Sequence, residues 1–111
     1  MTETQCLLTK FLRDYLDWVE DGAPDDRFDK SNGLCDNLND WARENVETVG
    51  ARSHLRQLLR GLFIRADLDL EYPFDGGQRG NYLLAASTGT QHLNHKRIAF
   101  CRNSITELIA S

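Results

Sequence analysis

The sequence predicts a mainly α-helical fold, a small four-helix-type bundle with an irregular loop or short hairpin inserted around residues 68–81. Apolar residues recur three and four positions apart along several stretches, most regularly over residues 53–66. Segments dense in Gly, Pro, Asp and Asn separate these stretches, as expected for loops between helices. With 111 residues, 41% of them hydrophobic, the chain is long enough to bury a core as a single domain over residues 1–111.

The first helix is predicted over Thr4–Glu20. Thr2 and Gln5 have the spacing of a capping box, in which each side chain accepts a hydrogen bond from the other residue's backbone N–H. An apolar face follows at helical spacing, formed by Leu8, Phe11, Leu12, Tyr15, Trp18 and Val19. The next segment, DGAPDDRFDKSNG, is rich in turn-forming residues and poor in aliphatic ones, so it is predicted to be a loop.

The second helix is predicted over Leu34–Val46. Its inward face consists of Leu34, Leu38, Trp41, Ala42 and Val46. Its outward residues are expected to be Asp36, Asn37, Asn39, Asp40 and Glu44. Thr48, Val49 and Gly50 are predicted to separate this helix from the next.

A third helix is predicted to contain the stretch from Ser53 to Ala66 and to end near Asp67, and we expect the rest of the chain to pack against it. Its apolar stripe consists of Leu55, Leu58, Leu59, Leu62, Phe63 and Ala66.

The segment after this helix, LDLEYPFDGGQRGN, combines Pro73 with three glycines, which favours an ordered loop or a hairpin. Tyr72 and Phe74 are the expected apolar anchors of this loop. A short helix over Tyr82–Ser87 and a last helix over His95–Ile109 complete the prediction, with Asn94 as the N-cap of the last helix.

Charge is distributed unevenly along the chain. Residues 1–50 carry a net charge of −7 and residues 51–111 carry +3, for a total of −4. Seven carboxylates lie between Asp14 and Asp29, with Arg27 as the single base in that stretch. Such a stretch is a solvated surface, a cation site or an acidic docking face. Our prediction is a docking face for a partner protein with a basic surface. The residues of this docking face are Asp14, Asp17, Asp21, Asp25, Asp26 and Asp29 together with Tyr72 and Phe74.

The alternative function is the binding of a small anionic ligand such as a nucleotide. Its candidate residues cluster around the predicted start of the last helix, where free amides and the helix dipole favour an anion. They are Arg79, Tyr82, His92, Asn94 and Arg97. The nearby GGQRG run matches neither the P-loop nor the dinucleotide-binding fingerprint, so a turn is the competing interpretation.

Other classes of function have little support in the sequence. His92 and His95 are the only closely spaced zinc-type ligands, and we predict no metal, cofactor or catalytic residue. The odd set of three cysteines predicts reduced, mostly buried thiols in a cytoplasmic protein. No apolar run approaches the roughly 20 residues of a membrane-spanning helix, and a pI near 5.3 opposes direct nucleic-acid binding.

The order of several short motifs resembles that of small accessory proteins encoded by tailed bacteriophages. The motifs are GLCDNL at 33–38, LF at 62–63, YPF at 72–74, Tyr82 and HLNHKR at 92–97. The resemblance covers roughly residues 31–103. It implies a protein of the bacterial cytoplasm that binds and inhibits or redirects a host protein, for example one of a defence system.

Overall fold

The structure is a computed structural model that describes residues 1–29, 33–66 and 91–110, with side chains in the last range from Ile98 onward. Within these ranges the chain forms four helices and no strand: α1 (Glu3–Glu20), α2 (Leu34–Asn45), α3 (Val49–Arg65) and α4 (Gln91–Ala110). The predicted helical bundle is therefore confirmed. The predicted insertion around 68–81 and the short helix over 82–87 lie outside the described residues.

The predicted capping box begins α1. The Thr2 hydroxyl oxygen accepts a hydrogen bond from the Gln5 backbone N–H at 3.1 Å, and the Gln5 side-chain oxygen accepts one from the Thr2 N–H at 2.8 Å. At the other end Gly22 takes a positive φ of 85°, a conformation that glycine adopts without steric cost. This turn allows the chain to fold back beside α1.

The predicted inward face of α2 is confirmed, since all five of its apolar residues are buried. The helix ends one residue earlier than predicted, because the backbone of Val46 is extended. Asn37 was predicted to face outward, and this is wrong. It is only 1% exposed, because its carboxamide bonds backbone groups on the side of the helix that faces the preceding loop.

The predicted break before the third helix is also wrong in part. Thr48 acts as the N-cap of α3, its hydroxyl oxygen accepting a hydrogen bond from the Ala51 N–H at 3.1 Å. Val49 and Gly50 therefore form the first turn of the helix. At the other end, Ala66 was expected to face the core, but it follows the last helical residue and is exposed.

The last helix begins earlier than predicted. Its backbone is helical from Gln91, so Asn94 lies within α4 and is not its N-cap. A capping residue must have a non-helical backbone, so the capping prediction is wrong.

The core is shared between α1 and α3. Helix α1 packs against both α3 and α4, while α3 also packs against α2. Phe63 on α3 meets Phe100 on α4 with ring centroids 4.6 Å apart. The prediction that the rest of the chain packs against α3 is thus correct for α1 and α2, whereas α4 packs mainly against α1.

Candidate functional site

The segment that follows α1 is a loop, as predicted, and a buried aromatic residue fixes it. Phe28 is only 7% exposed and lies within 5.7 Å, centroid to centroid, of Phe11, Tyr15 and Trp18. Trp41 of α2 meets Phe11 in the same cluster at 5.6 Å. The aromatic cluster therefore joins α1, the loop and α2, and burial of Phe28 brings the acidic residues beside it close to α2.

Hydrogen bonds to backbone carbonyl oxygens hold the same loop. The Trp18 Nε1–H donates to the Asp25 carbonyl oxygen at 3.0 Å, and the Ala23 N–H donates to the Trp18 carbonyl oxygen at 2.8 Å. Ala23 takes a left-handed φ of 54°, which costs a non-glycine residue roughly 1–2 kcal/mol. The buried contacts of the loop offset this cost.

A groove of about 580 Å³ lies between the loop and α2. The loop contributes Asp26, Arg27, Phe28 and Asp29, and α2 contributes Asn37, Asp40, Trp41 and Glu44. We call this the acidic groove, because four carboxylates and a single guanidinium line it. The loop and α2 each contribute two carboxylates, and each also contributes one aromatic residue to the lining, Phe28 and Trp41.

Two of the four groove carboxylates were predicted as partner-binding residues, Asp26 and Asp29. Asp40 and Glu44 were placed on the outer face of α2 but not assigned to a site. They lie one helical turn apart on the helix that directly follows the acidic stretch. That spacing and that position along the chain are the sequence signals by which they could have been included.

The other predicted acidic residues lie elsewhere. Asp14 lines a surface groove with Lys10 and Arg13, and Asp17 lines another between α1 and α4 with Arg13 and Arg102. Asp21 is exposed just after α1. The predicted docking face is therefore divided, because residues spaced along a helix and a turn point in different directions. Tyr72 and Phe74 lie outside the described residues.

Asp25 is engaged within the loop. The Arg27 backbone N–H donates to its carboxylate at 3.0 Å, and the Arg27 guanidinium lies 3.3 Å from its other oxygen. The backbone hydrogen bond first, and then the charge of Arg27, lower the pKa of Asp25 below its usual value. This carboxylate is therefore charged at neutral pH and partly neutralised by its neighbour.

The groove carboxylates differ in how they are compensated. The Arg43 guanidinium lies 2.6 Å from the Asp40 carboxylate, one turn along α2. Asp26 and Glu44 form no hydrogen bond or ion pair with any other residue that the structure describes. Among the described residues, four carboxylates and one guanidinium line the groove, so the charge of this lining is negative.

Further negative charge surrounds the end of α1. Asp17, Glu20 and Asp21 lie in or just after its last turn, which contains no basic residue. Negative charges at the C-terminal end of a helix interact unfavourably with the helix dipole. Each exposed charge there costs roughly 0.3–1 kcal/mol of stability. Arg102 of α4 forms an ion pair with Glu20 and compensates part of this cost.

The residues predicted for the alternative anion site lie mostly outside the described side chains. Arg79 and Tyr82 lie outside them, and His92, Asn94 and Arg97 are placed only as backbone in the first two turns of α4. Their alternative role in ligand binding stays a prediction.

The cysteines were predicted to be mostly buried. Cys101 is buried and Cys35 is half-buried, but Cys6 on the outer side of α1 is exposed, so the prediction is wrong for Cys6. No disulfide joins the three. In the ranges 1–29, 33–66 and 91–110, no three His, Cys, Asp or Glu residues form a group that would hold a metal ion. No helix in those ranges has the length and apolar character needed to cross a membrane.

Comparison with known proteins gave no match: no protein family, curated protein or solved structure is detectably similar to this chain.

Proposed function

We propose that this chain is a small protein-interaction module that binds a basic segment of a partner protein in the acidic groove. The observation that carries the proposal is the meeting of carboxylates from two different elements across one groove. Lysine and arginine side chains entering it would reach carboxylates on both walls. Their aliphatic stems would contact the ring edges of Phe28 and Trp41.

The way the loop is fixed supports the proposal. An acidic loop that serves only to keep the protein in solution does not require an ordered backbone. Here Phe28, Trp18 and Asn37 all fix the backbone of the loop. A binding surface that is already ordered loses less conformational entropy when the partner binds.

The resemblance to phage accessory proteins supplies the finer part of the proposal. We propose that the partner is a bacterial host protein, one of a defence system among the candidates. On this proposal the chain acts in the bacterial cytoplasm by inhibiting or redirecting that protein, without catalysis.

Matched charge reversals test the groove. The double variant Asp26→Lys/Glu44→Lys changes the two groove carboxylates that have no partner among the described residues. The control Asp36→Lys/Glu47→Lys makes the same change in net charge at exposed positions outside the groove. Association would be measured by surface plasmon resonance, with a host protein captured from bacterial lysate and with a synthetic peptide of alternating arginine and serine.

We expect the groove variant to associate about tenfold more slowly than the parent at low salt, and the control to lose much less, because local charge steers the final approach. The association rate of the parent should fall as salt rises. Equal rates for the groove and control variants would refute the acidic groove as the binding site.

The alternative proposal, a module for a small anionic ligand, makes the opposite prediction. A nucleotide that binds the folded chain would raise its melting temperature by mass action. The loss of that shift in Arg79→Ala or Arg97→Ala, with no effect of the groove variant, would favour the anionic ligand.

A further inference from the structure

Asn37 is a buried polar residue that connects the two walls of the acidic groove. Its side-chain oxygen accepts a hydrogen bond from the Asp29 backbone N–H at 2.9 Å. Its side-chain nitrogen donates to the Asp29 carbonyl oxygen at 3.2 Å and to the Gly33 carbonyl oxygen at 3.1 Å. One carboxamide thus bonds the backbone on both sides of residues 30–32.

The geometry restricts which side chain can make these bonds. Binding both the N–H and the C=O of one residue requires an acceptor and a donor side by side, which a carboxamide provides and a carboxylate or an aliphatic group does not. The site is only 1% exposed, so water cannot readily replace a bond that is lost there. Asn37 also lines the groove directly, beside Asp29 and Asp40.

We infer that Asn37 is the positioning residue of the acidic groove, holding the backbone of Asp29 at a set distance from α2. This inference rests on the proposed function, and it goes further by assigning Asn37 a kinetic role. The carboxylates govern how fast a basic segment approaches, because charge acts at long range. Asn37 governs how long the segment stays, because the spacing of the two walls matters only once contacts have formed.

The matched pair Asn37→Ala and Asn45→Ala tests the inference. The Asn45 side-chain nitrogen donates to the Trp41 carbonyl oxygen at 2.8 Å in the same helix, so its variant also removes a side chain–backbone hydrogen bond, but it leaves the loop untouched. Both rates would be measured with the peptide of alternating arginine and serine, at a temperature where circular dichroism shows each variant folded. If Asn37→Ala does not fold, Asn37→Ser, which keeps one polar group, replaces it.

We expect dissociation from Asn37→Ala to be roughly three- to tenfold faster than from the parent, with an unchanged association rate and an unchanged salt dependence. Asn45→Ala should release the peptide at the parental rate. Parental dissociation from Asn37→Ala, with only its free energy of unfolding lowered, would make Asn37 a structural clamp and overturn the inference.

A measurement without any partner separates this inference from the proposed function. Hydrogen exchange of the Asp29 amide should become markedly faster in Asn37→Ala and stay slow in Asn45→Ala, since only the first variant removes its acceptor. Unchanged Asp29 protection refutes positioning by Asn37, whatever the peptide does. Faster exchange combined with no peptide binding by the parent protein refutes the proposed function, and with it the kinetic role of Asn37.

Discussion

At the scale of single residues, Phe28 determines where the acidic loop lies. It is the only large apolar side chain between Ala23 and the start of α2 at Leu34, and it enters the aromatic cluster beside Tyr15 at 5.3 Å. The carboxylates of Asp26 and Asp29 flank it in the sequence. Their approach to α2 is therefore a consequence of burying one ring.

Replacing Phe28 with alanine should lower the free energy of unfolding by about 3–5 kcal/mol, because it removes the ring and leaves a cavity. Phe28→Leu, which retains much of the volume, should lose less. Urea melts followed by circular dichroism would measure both variants. A loss for Phe28→Ala below about 0.5 kcal/mol, the size typical of surface substitutions, would mean that the ring does not hold the loop.

At the scale of elements, the apolar residues of α3 lie on a buried face that helical periodicity predicts in large part. Four of the six residues in its predicted stripe, Leu55, Leu59, Leu62 and Phe63, are buried, and Leu58 is half-buried. Ile64 lies on the same helix but is 62% exposed. The helix therefore offers buried and exposed apolar positions within two turns.

Leu59→Ala and Phe63→Ala should each lower the free energy of unfolding by roughly 2–5 kcal/mol. Ile64→Ala is the matched control and should stay within about 0.5 kcal/mol of the parent, because its side chain is already in water. Chemical denaturation of the three variants side by side would measure this. Similar losses at positions 59 and 64 would show that the buried face of α3 has been misassigned.

At the scale of the whole molecule, the balance between repulsion and ion pairing sets the response to salt. Among the side chains that the structure describes, two ion pairs attach α4 to the rest of the bundle, Arg102 with Glu20 and Arg65 with Glu107, the second at 2.5 Å. Both are largely exposed, and such pairs are worth only about 0–1 kcal/mol. Within the described ranges, Asp26 and Glu44 in the acidic groove and Asp17 and Asp21 near the end of α1 form no ion pair.

We therefore expect the parent to become more stable in urea melts as sodium chloride rises, because salt screens the repulsion among its acids. The gain should shrink in Asp26→Lys/Glu44→Lys, which removes two of the repelling charges. A parent that loses stability with salt would show that the ion pairs of α4 outweigh the repulsion.

Much of the fold was visible in the sequence because its causes are local. The capping box of Thr2 and Gln5 involves residues three apart, and the apolar faces of α1, α2 and α3 follow from the helical period. The same local reasoning gave wrong helix ends at Thr48 and Asn94. Polar residues of the kind found in loops can also cap a helix, as Thr48 does, or lie within one, as Asn94 does.

The sequence by itself determined the four helices of the described ranges, the apolar faces of α1, α2 and α3, and the concentration of acid in the first half of the chain. Only the tertiary structure decided which acids share a groove, because that depends on the return of the loop onto α2. Burial of Phe28 and the hydrogen bonds between Asn37 and the Asp29 backbone fix that return, and they join residues that no short-range pattern relates. Periodicity reports which face of a helix is buried, but not which partner a buried polar group meets there.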